Sequence, residues 1–249
     1  NKPHPTGGIT SPSSGSILHD NPVVAVKAHS PVGIERVDFL AYYDGFDENG
    51  DGVFQDWHHH YWCLRNAQEI VISGHVGTVY NSPFYITWQT EWIPDQESNA
   101  VKLIARIKDK RGTWYVTEPV VNLSLRRTRH SRKYFKSYDV PTAFSIRNKN
   151  TKSCTIEIPH TDDLKDAEEA IIHLRTWNGD PVHHLPFRIN DWYHALTGNN
   201  HNFAFERIPV PVSALRNGKN TITFYSETVH HGVEILWPGP VITIKYSRN

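Results

Sequence analysis

The stretch "DGFDENGDGVFQDW", residues 44 to 57, places Asp47, Asn49 and Asp51 two residues apart and follows them with Gly52. Oxygen-bearing side chains at that spacing, with glycine at the sharp turn, are how a loop wraps a calcium ion. In this register Val53 offers its backbone carbonyl and Gln55 a contact through water. The twelfth position, where a bidentate glutamate normally closes such a loop, holds His58, whose imidazole suits a hard cation poorly. Asp44 or Asp56 is therefore expected to close the site, and the expected ligand set is Asp44, Asp47, Asn49, Asp51, Val53 and Asp56. The competing reading is a solvated Asp-Gly turn. His58, His59 and His60 do not make a zinc or copper site in the same region, because consecutive side chains of a strand diverge.

A second group of chemistry-bearing residues lies in the later half: Trp177-Asn178-Gly179-Asp180, His183-His184, Asp191-Trp192-Tyr193-His194 and His230-His231. Sugar recognition needs a flat aromatic ring against the C–H face of a pyranose, surrounded by amide, imidazole or charged groups that bond the hydroxyls. Trp177, Asn178, His184, Trp192 and Tyr193 supply those types and are the expected carbohydrate-binding residues. Against this stands the simpler reading in which each aromatic belongs to the core, as expected for Trp237 between Leu236 and Pro238. Catalytic readings draw on the same region. Asp191, Glu206 and Glu234 would have to provide a glycosidase's carboxylate pair, or Tyr193, His194 and Arg188 a lyase's base and uronate-neutralising group. The chain has no nucleophile elbow, phosphate loop, dinucleotide fingerprint or HExxH. A noncatalytic role is expected.

The residues that must position these groups read as strands. "PVVAVKAHS", "IERVDFLAYY", "PFYITWQTEW", "VKLIARIKD" and "TWYVTEPVVNLSLRR" are rich in β-branched and aromatic residues, several alternate with period two, and turn residues bound each of them. Asp109 to Gly112 is a hairpin loop. The opening, rich in Pro, Gly and Ser, reads as a linker as far as Gly8. A second run follows: "FSIRN", "SCTIEIP", "EAIIHLRTW", "PFRIND", "NFAFERIPVP", "NTITFYSE" and "GVEILWPGPVITIKYS". "DLKDAEEA" adds a helical turn, and Gly218 ends another in "PVSALRNGKNTITF". At 249 residues, two domains are the better expectation, with the boundary near Ser137: residues 1–137 and 138–249.

Two resemblances give these halves a fold. "GIERVDFLAYYDGFDENGDGVFQDWHHHYW", "WQTEWIPDQ" and "VKLIARIKDKRGTWYVT" resemble the immunoglobulin-like modules of secreted bacterial carbohydrate-active and surface proteins, over about residues 8 to 128. Trp88, Trp92, Pro94, Asp95 and Gln96 carry the likeness most visibly, while Gln89 stands where an acid belongs. "PFRINDW" and "ERIPVPVSALRNGKNTITFYSE" resemble galactose-binding-like jelly rolls, over about residues 138 to 249. The expected fold is all-β, with an immunoglobulin-like sandwich followed by a jelly-roll-like one. These resemblances imply a noncatalytic first half and a binding module in the second. The resulting reading is a polysaccharide-binding accessory module, attached to or serving a catalytic domain, in a secreted bacterial polysaccharide-processing protein. The alternatives are an adhesion or spacer protein, and a lyase or hydrolase.

Composition narrows the partners. Lys plus Arg equals Asp plus Glu at 26 each, against the basic excess of a nucleic-acid binder. The stretch Arg126, Arg127, Arg129, Arg132, Lys133 and Lys136 offers charge-assisted bonds to an acidic polysaccharide, but a solvated strand edge is the favoured reading. No run of eighteen apolar residues would span a membrane as a helix. The sixteen histidines add positive charge below about pH 6.5. Cys63 and Cys154 are expected as two buried thiols, with a single bridge as the alternative. Asn1 without an apolar leader fits a processed secreted or cell-surface protein, or an excised segment.

Overall fold

The computed structural model describes residues 4–43, 74–178, 187–196, 202–226, 229, 232–236 and 238–248. The expected cation ligands Asp44, Asp47, Asn49, Asp51, Val53 and Asp56 lie outside them, as do the three consecutive histidines, Cys63 and His184. The described chain is all-β and forms two compact units, 4–43 with 74–128, and 129–248. The division falls between Thr128 and Arg129, nine residues before Ser137, because the strand between the two positions pairs within the second unit.

In the first unit the strands are β1 (Thr6–Ser11), β2 (Ile17–Leu18), β3 (Val23–His29), β4 (Ile34–Tyr42), β5 (His75–Val79), β6 (Phe84–Thr87), β7 (Gln96–Asp109), β8 (Trp114–Val116) and β9 (Val120–Leu125). They make a three-stranded sheet, β1-β3-β6, and a larger one in the order β2-β9-β7-β4-β5 with β8 on β7. Alternation decides what lies between the sheets. Val37, Phe39 and Ala41 of β4 and Val101, Leu103, Ala105 and Ile107 of β7 point inward against Val24, Val26 and Trp88. The intervening residues Arg36, Arg106 and Lys108 point outward, where all three cations surround the Trp114 ring at 4.2–5.7 Å. The hairpin expected at Asp109 to Gly112 forms because the buried Asp109 carboxylate accepts the backbone N–H groups of Arg111 and Thr113, both at 2.9 Å. Gly112 there takes the left-handed conformation, φ +83°.

In the second unit the strands are β10 (His130–Lys136), β11 (Ser145–Ile146), β12 (Thr151–Ile158), β13 (Ala167–Asn178), β14 (Phe187–Ile189), β15 (Trp192–His194), β16 (Asn202–Val210), β17 (Gly218–Tyr225), β18 (Val233–Ile235) and β19 (Val241–Ser247). One sheet runs β10-β19-β13-β18-β11, with β16 also on β13; the other runs β12-β17-β14-β15. Their inner faces interlock Ile172 and Leu174, Ile242 and Ile244 with Cys154, Ile156, Phe187, Ile189, Ile222 and Phe224. Phe187 stacks on Phe224 at 5.5 Å, and Phe144 meets Phe224 edge-on. The larger sheet is also buried on its outer face: Ile171, His173 and Arg175 of β13 are each under 7% exposed. That explains why "AIIHLRT" reads as an apolar run broken by only His173, Arg175 and Thr176. Cys154 is a buried free thiol whose pKa burial pushes up to about 12, so it packs as a small apolar group.

The basic stretch resolves into separate roles. Arg126 meets Glu97 at the surface, whereas Arg127 and Arg132 are buried. Lys133 pairs with Asp162. Charged residues close in sequence thus face different environments.

Candidate functional site

The smaller sheet of the second unit presents the arrangement best suited to a ligand. Directly opposed residues on neighbouring strands point to the same face, and here the register places Ser153 opposite Thr223, Thr223 opposite Arg188, and Arg188 opposite Tyr193. One row therefore crosses all four strands on the solvent side, and its length is about three strand spacings, or roughly 14 Å. Thr221 and Tyr225 flank Thr223 on the same face of β17. Tyr193 closes the row on the outermost strand with 54% of its surface exposed. Thr223 is covered, and its hydroxyl lies 2.9 Å from that of Ser153.

The electrostatics of the row centre on Arg188. The polar contact of its guanidinium with the Tyr193 hydroxyl, followed by the nearby Tyr225, raises its pKa above the ordinary arginine value. A planar cation beside phenols presents N–H donors to hydroxyl or carboxylate oxygens next to ring surface.

The sequence makes this hairpin by a particular device. Asn190, at φ +52°, starts the two-residue turn between Ile189 and Trp192, a conformation asparagine tolerates. Its side-chain amide donates to Ala214 O and to Asn220 Oδ1, both at 2.9 Å, and its carbonyl oxygen accepts from Thr221 N. Asn220 is fully buried. It donates to Arg216 O and Gly218 O and accepts from Arg216 N at 2.9 Å. The "LRNGKN" turn is thus a polar core that fixes the β14–β15 hairpin against β17.

The residues expected at a glycan site separate in this frame. Tyr193 stands in the row. Trp192, its neighbour, points to the opposite face, where its ring meets Phe187 edge-on at 6.1 Å and His194 at 5.2 Å. Trp177 belongs to the other sheet, on the face away from the core, opposite Phe203 and Glu234. Asn178 follows it at the end of β13. Trp177 is therefore not gathered with Tyr193. Arg188 and Tyr225 were not among the expected glycan residues. The period-two alternation of "FRI" and "TITFY" puts both on outward positions, but nothing in the sequence sets them on adjoining strands.

The groups considered for catalysis separate as well. Glu206 lies opposite Leu174 on the inner face of its sheet and is 3% exposed, while Glu234 lies opposite Trp177 on the outer face and pairs with Arg147. Asp191 is in the turn between β14 and β15. For the lyase set, Arg188 and Tyr193 share a face, but His194 packs on the other, against Phe187 and Trp192. Among the described residues, no three His, Cys, Asp or Glu side chains cluster to hold a metal ion. No helix among them is long and apolar enough to cross a membrane.

No family model and no curated protein matches this chain. Among solved structures it is similar to BuGH86 in complex with neoagarooctaose, at 12% identity and a TM-score of 0.35 over 91% of this chain and 33% of that one. It is also similar to the fibronectin(III)-like modules of Clostridium thermocellum CbhA, at 9% identity and a TM-score of 0.31 over 93% and 92% of the two chains. A third likeness is to carbohydrate-binding modules of the β-sandwich superfamily, at 11% identity and a TM-score of 0.24 over 98% and 97%. The chain spans about a third of the length of the BuGH86 chain. Structural neighbours of the chain thus include carbohydrate-binding modules and a glycoside hydrolase chain, at scores too low to carry an argument about its site.

Proposed function

We propose that this chain is a noncatalytic polysaccharide-binding module, and that the row Ser153, Thr223, Arg188 and Tyr193, with Tyr225 beside it, is its glycan face. The observation that carries the reading is the register that brings these residues of four strands into one line on the face of the sheet turned away from its core. Tyr193 supplies ring surface for a pyranose, Arg188 supplies N–H donors, and Ser153 and Thr221 supply hydroxyls. An immunoglobulin-like first unit and a jelly-roll-like second unit, in a secreted or cell-surface bacterial protein with a catalytic domain nearby, complete the proposal. In such a setting the module raises the effective concentration of the enzyme at its substrate.

Affinity electrophoresis through neutral and acidic polysaccharides tests it. Retardation by at least one polysaccharide is expected, without new reducing ends or unsaturated products in the gel. Tyr193→Ala is expected to weaken that retardation about tenfold, and Arg188→Ala by a similar factor. Retardation identical in both variants would remove this face from the reading; product formation would return the chain to the lyase or hydrolase class.

Calcium in the acidic loop belongs to the same proposal, on the spacing of Asp47, Asn49 and Asp51 with Asp44 or Asp56. Excess chelator is expected to lower the melting temperature of metal-loaded protein and added calcium to restore it. An unchanged melting curve would leave the loop as a solvated turn.

A further inference from the structure

The first unit contains a recess with no part in the glycan face described above. β3 leads to β4 and β5 leads to β6, and both connections cross between the two sheets at the same end of the unit. Between them lies a recess of about 350 Å³. That volume is at the low end of the range for small-molecule sites. Ile34 and Phe84 give it apolar walls, and His29, Tyr80, Asn81 and Ser82 bring polar groups to its edge.

Three features narrow the ligand. Tyr80 is 60% exposed at the rim, so its ring is available to cover an occupant. The side chains of His29, Tyr80, Asn81 and Ser82 make no hydrogen bond among the described residues. By contrast Ser30, beneath the rim, is engaged: its hydroxyl donates to Asp109 Oδ2 and accepts from Val32 N, both at 3.3 Å, which fixes the first of the two turns. No Asp, Glu, Lys or Arg lines the recess. An uncharged ligand with many hydroxyls and an apolar face meets these conditions, since an amide, an imidazole and two hydroxyls offer both donors and acceptors.

We infer that this recess is a second binding site, for one or two residues of a neutral sugar, independent of the Tyr193 face. It shares with the proposed function only the class of ligand. A chain with two such sites engages one polysaccharide more tightly than either site alone wherever both are reached at once.

The test is saturation-transfer-difference NMR on the full chain, with the methyl β-D-glycosides of galactose, glucose and xylose as probes. It is run with wild type, the Arg188→Ala/Tyr193→Ala double variant, and that variant carrying Tyr80→Ala or Asn81→Ala. Transfer to at least one glycoside is expected to persist in the double variant. Tyr80→Ala is expected to weaken it about tenfold, and Asn81→Ala to weaken it in the same direction. Tyr80 and Asn81 are exposed turn residues, so unchanged melting temperatures are expected for both. Absence of transfer from the double variant to any of the three probes, or transfer undiminished by Tyr80→Ala, would overturn the inference. Neither outcome bears on Tyr193-dependent retardation, and loss of that retardation leaves this test standing.

Discussion

Replacing the buried Arg127 with alanine is expected to destabilise the first unit by about 3 kcal/mol. The guanidinium is 4% exposed, and its bonds include four among the described residues. Nε donates to Asp20 Oδ1 at 2.6 Å, Nη1 to Asp95 Oδ1 at 2.8 Å and to Ile93 O at 2.9 Å, and Nη2 to Thr90 O at 2.6 Å. Asp20 lies in the connection from β2 to β3, and Thr90 to Asp95 in the connection from β6 to β7. Both segments cross between the sheets, so one side chain at the end of β9 ties the two crossings together. Thr90 and Asn21 add a reciprocal pair of bonds at 2.9 and 3.0 Å. Truncation leaves two carboxylates without their cation and two carbonyls without a donor. The acids retain partial access to water, at 40% and 22% exposure, which keeps the cost below that of a fully buried pair. Arg127→Lys is expected to recover only part of the loss, because an ammonium cannot reproduce the planar fork. Urea denaturation with hydrogen-exchange protection of β7 and β9 measures both; a midpoint equal to wild type in Arg127→Ala would contradict the account.

Asn220→Ala is expected to cost the second unit about 2–4 kcal/mol and to weaken glycan retardation as well. The side chain is fully buried, and its removal leaves Arg216 N, Arg216 O, Gly218 O and the Asn190 amide short of partners. Asn190 is the residue that holds the β14–β15 turn in its left-handed conformation. Loosening it displaces Arg188 and Tyr193, which stand on that hairpin. A second variant separates stability from positioning. Cys154→Ala opens a small gap in the same core and should lower the midpoint while leaving retardation intact at temperatures where the protein is folded. Retardation weakened equally by both would mean that general stability, and not hairpin position, links Asn220 to the face.

How much of this was legible in the residues differs by level. Alternation in "VKLIARIKD" and "SCTIEIP" gave strands with correct inward positions, since side-chain direction in a strand follows from local geometry alone. The Asp109 and Gly218 turns were readable for a similar reason: glycine at positive φ and a carboxylate near backbone N–H groups act within a few residues. The basic stretch was not readable beyond its charge. Arg126 and Arg127 are neighbours with the same chemistry, and only the fold turns one outward and buries the other among partners as distant as Asp20.

The glycan residues show the same limit. Trp177 and Trp192 both sit in polar sequence and look equivalent there. The fold places Trp177 on the larger sheet and turns Trp192 toward Phe187, leaving Tyr193 as the aromatic exposed in its hairpin. Ser153, Arg188, Tyr193 and Thr223 lie up to 70 positions apart in the chain and carry no common motif. The sequence by itself determined an all-β chain, its turns, and which side chains of each strand share a face. Only the tertiary structure decided which wet faces became neighbours, because strand partners and register depend on packing between segments far apart in the chain, and a shift of one residue would exchange the two faces of a strand.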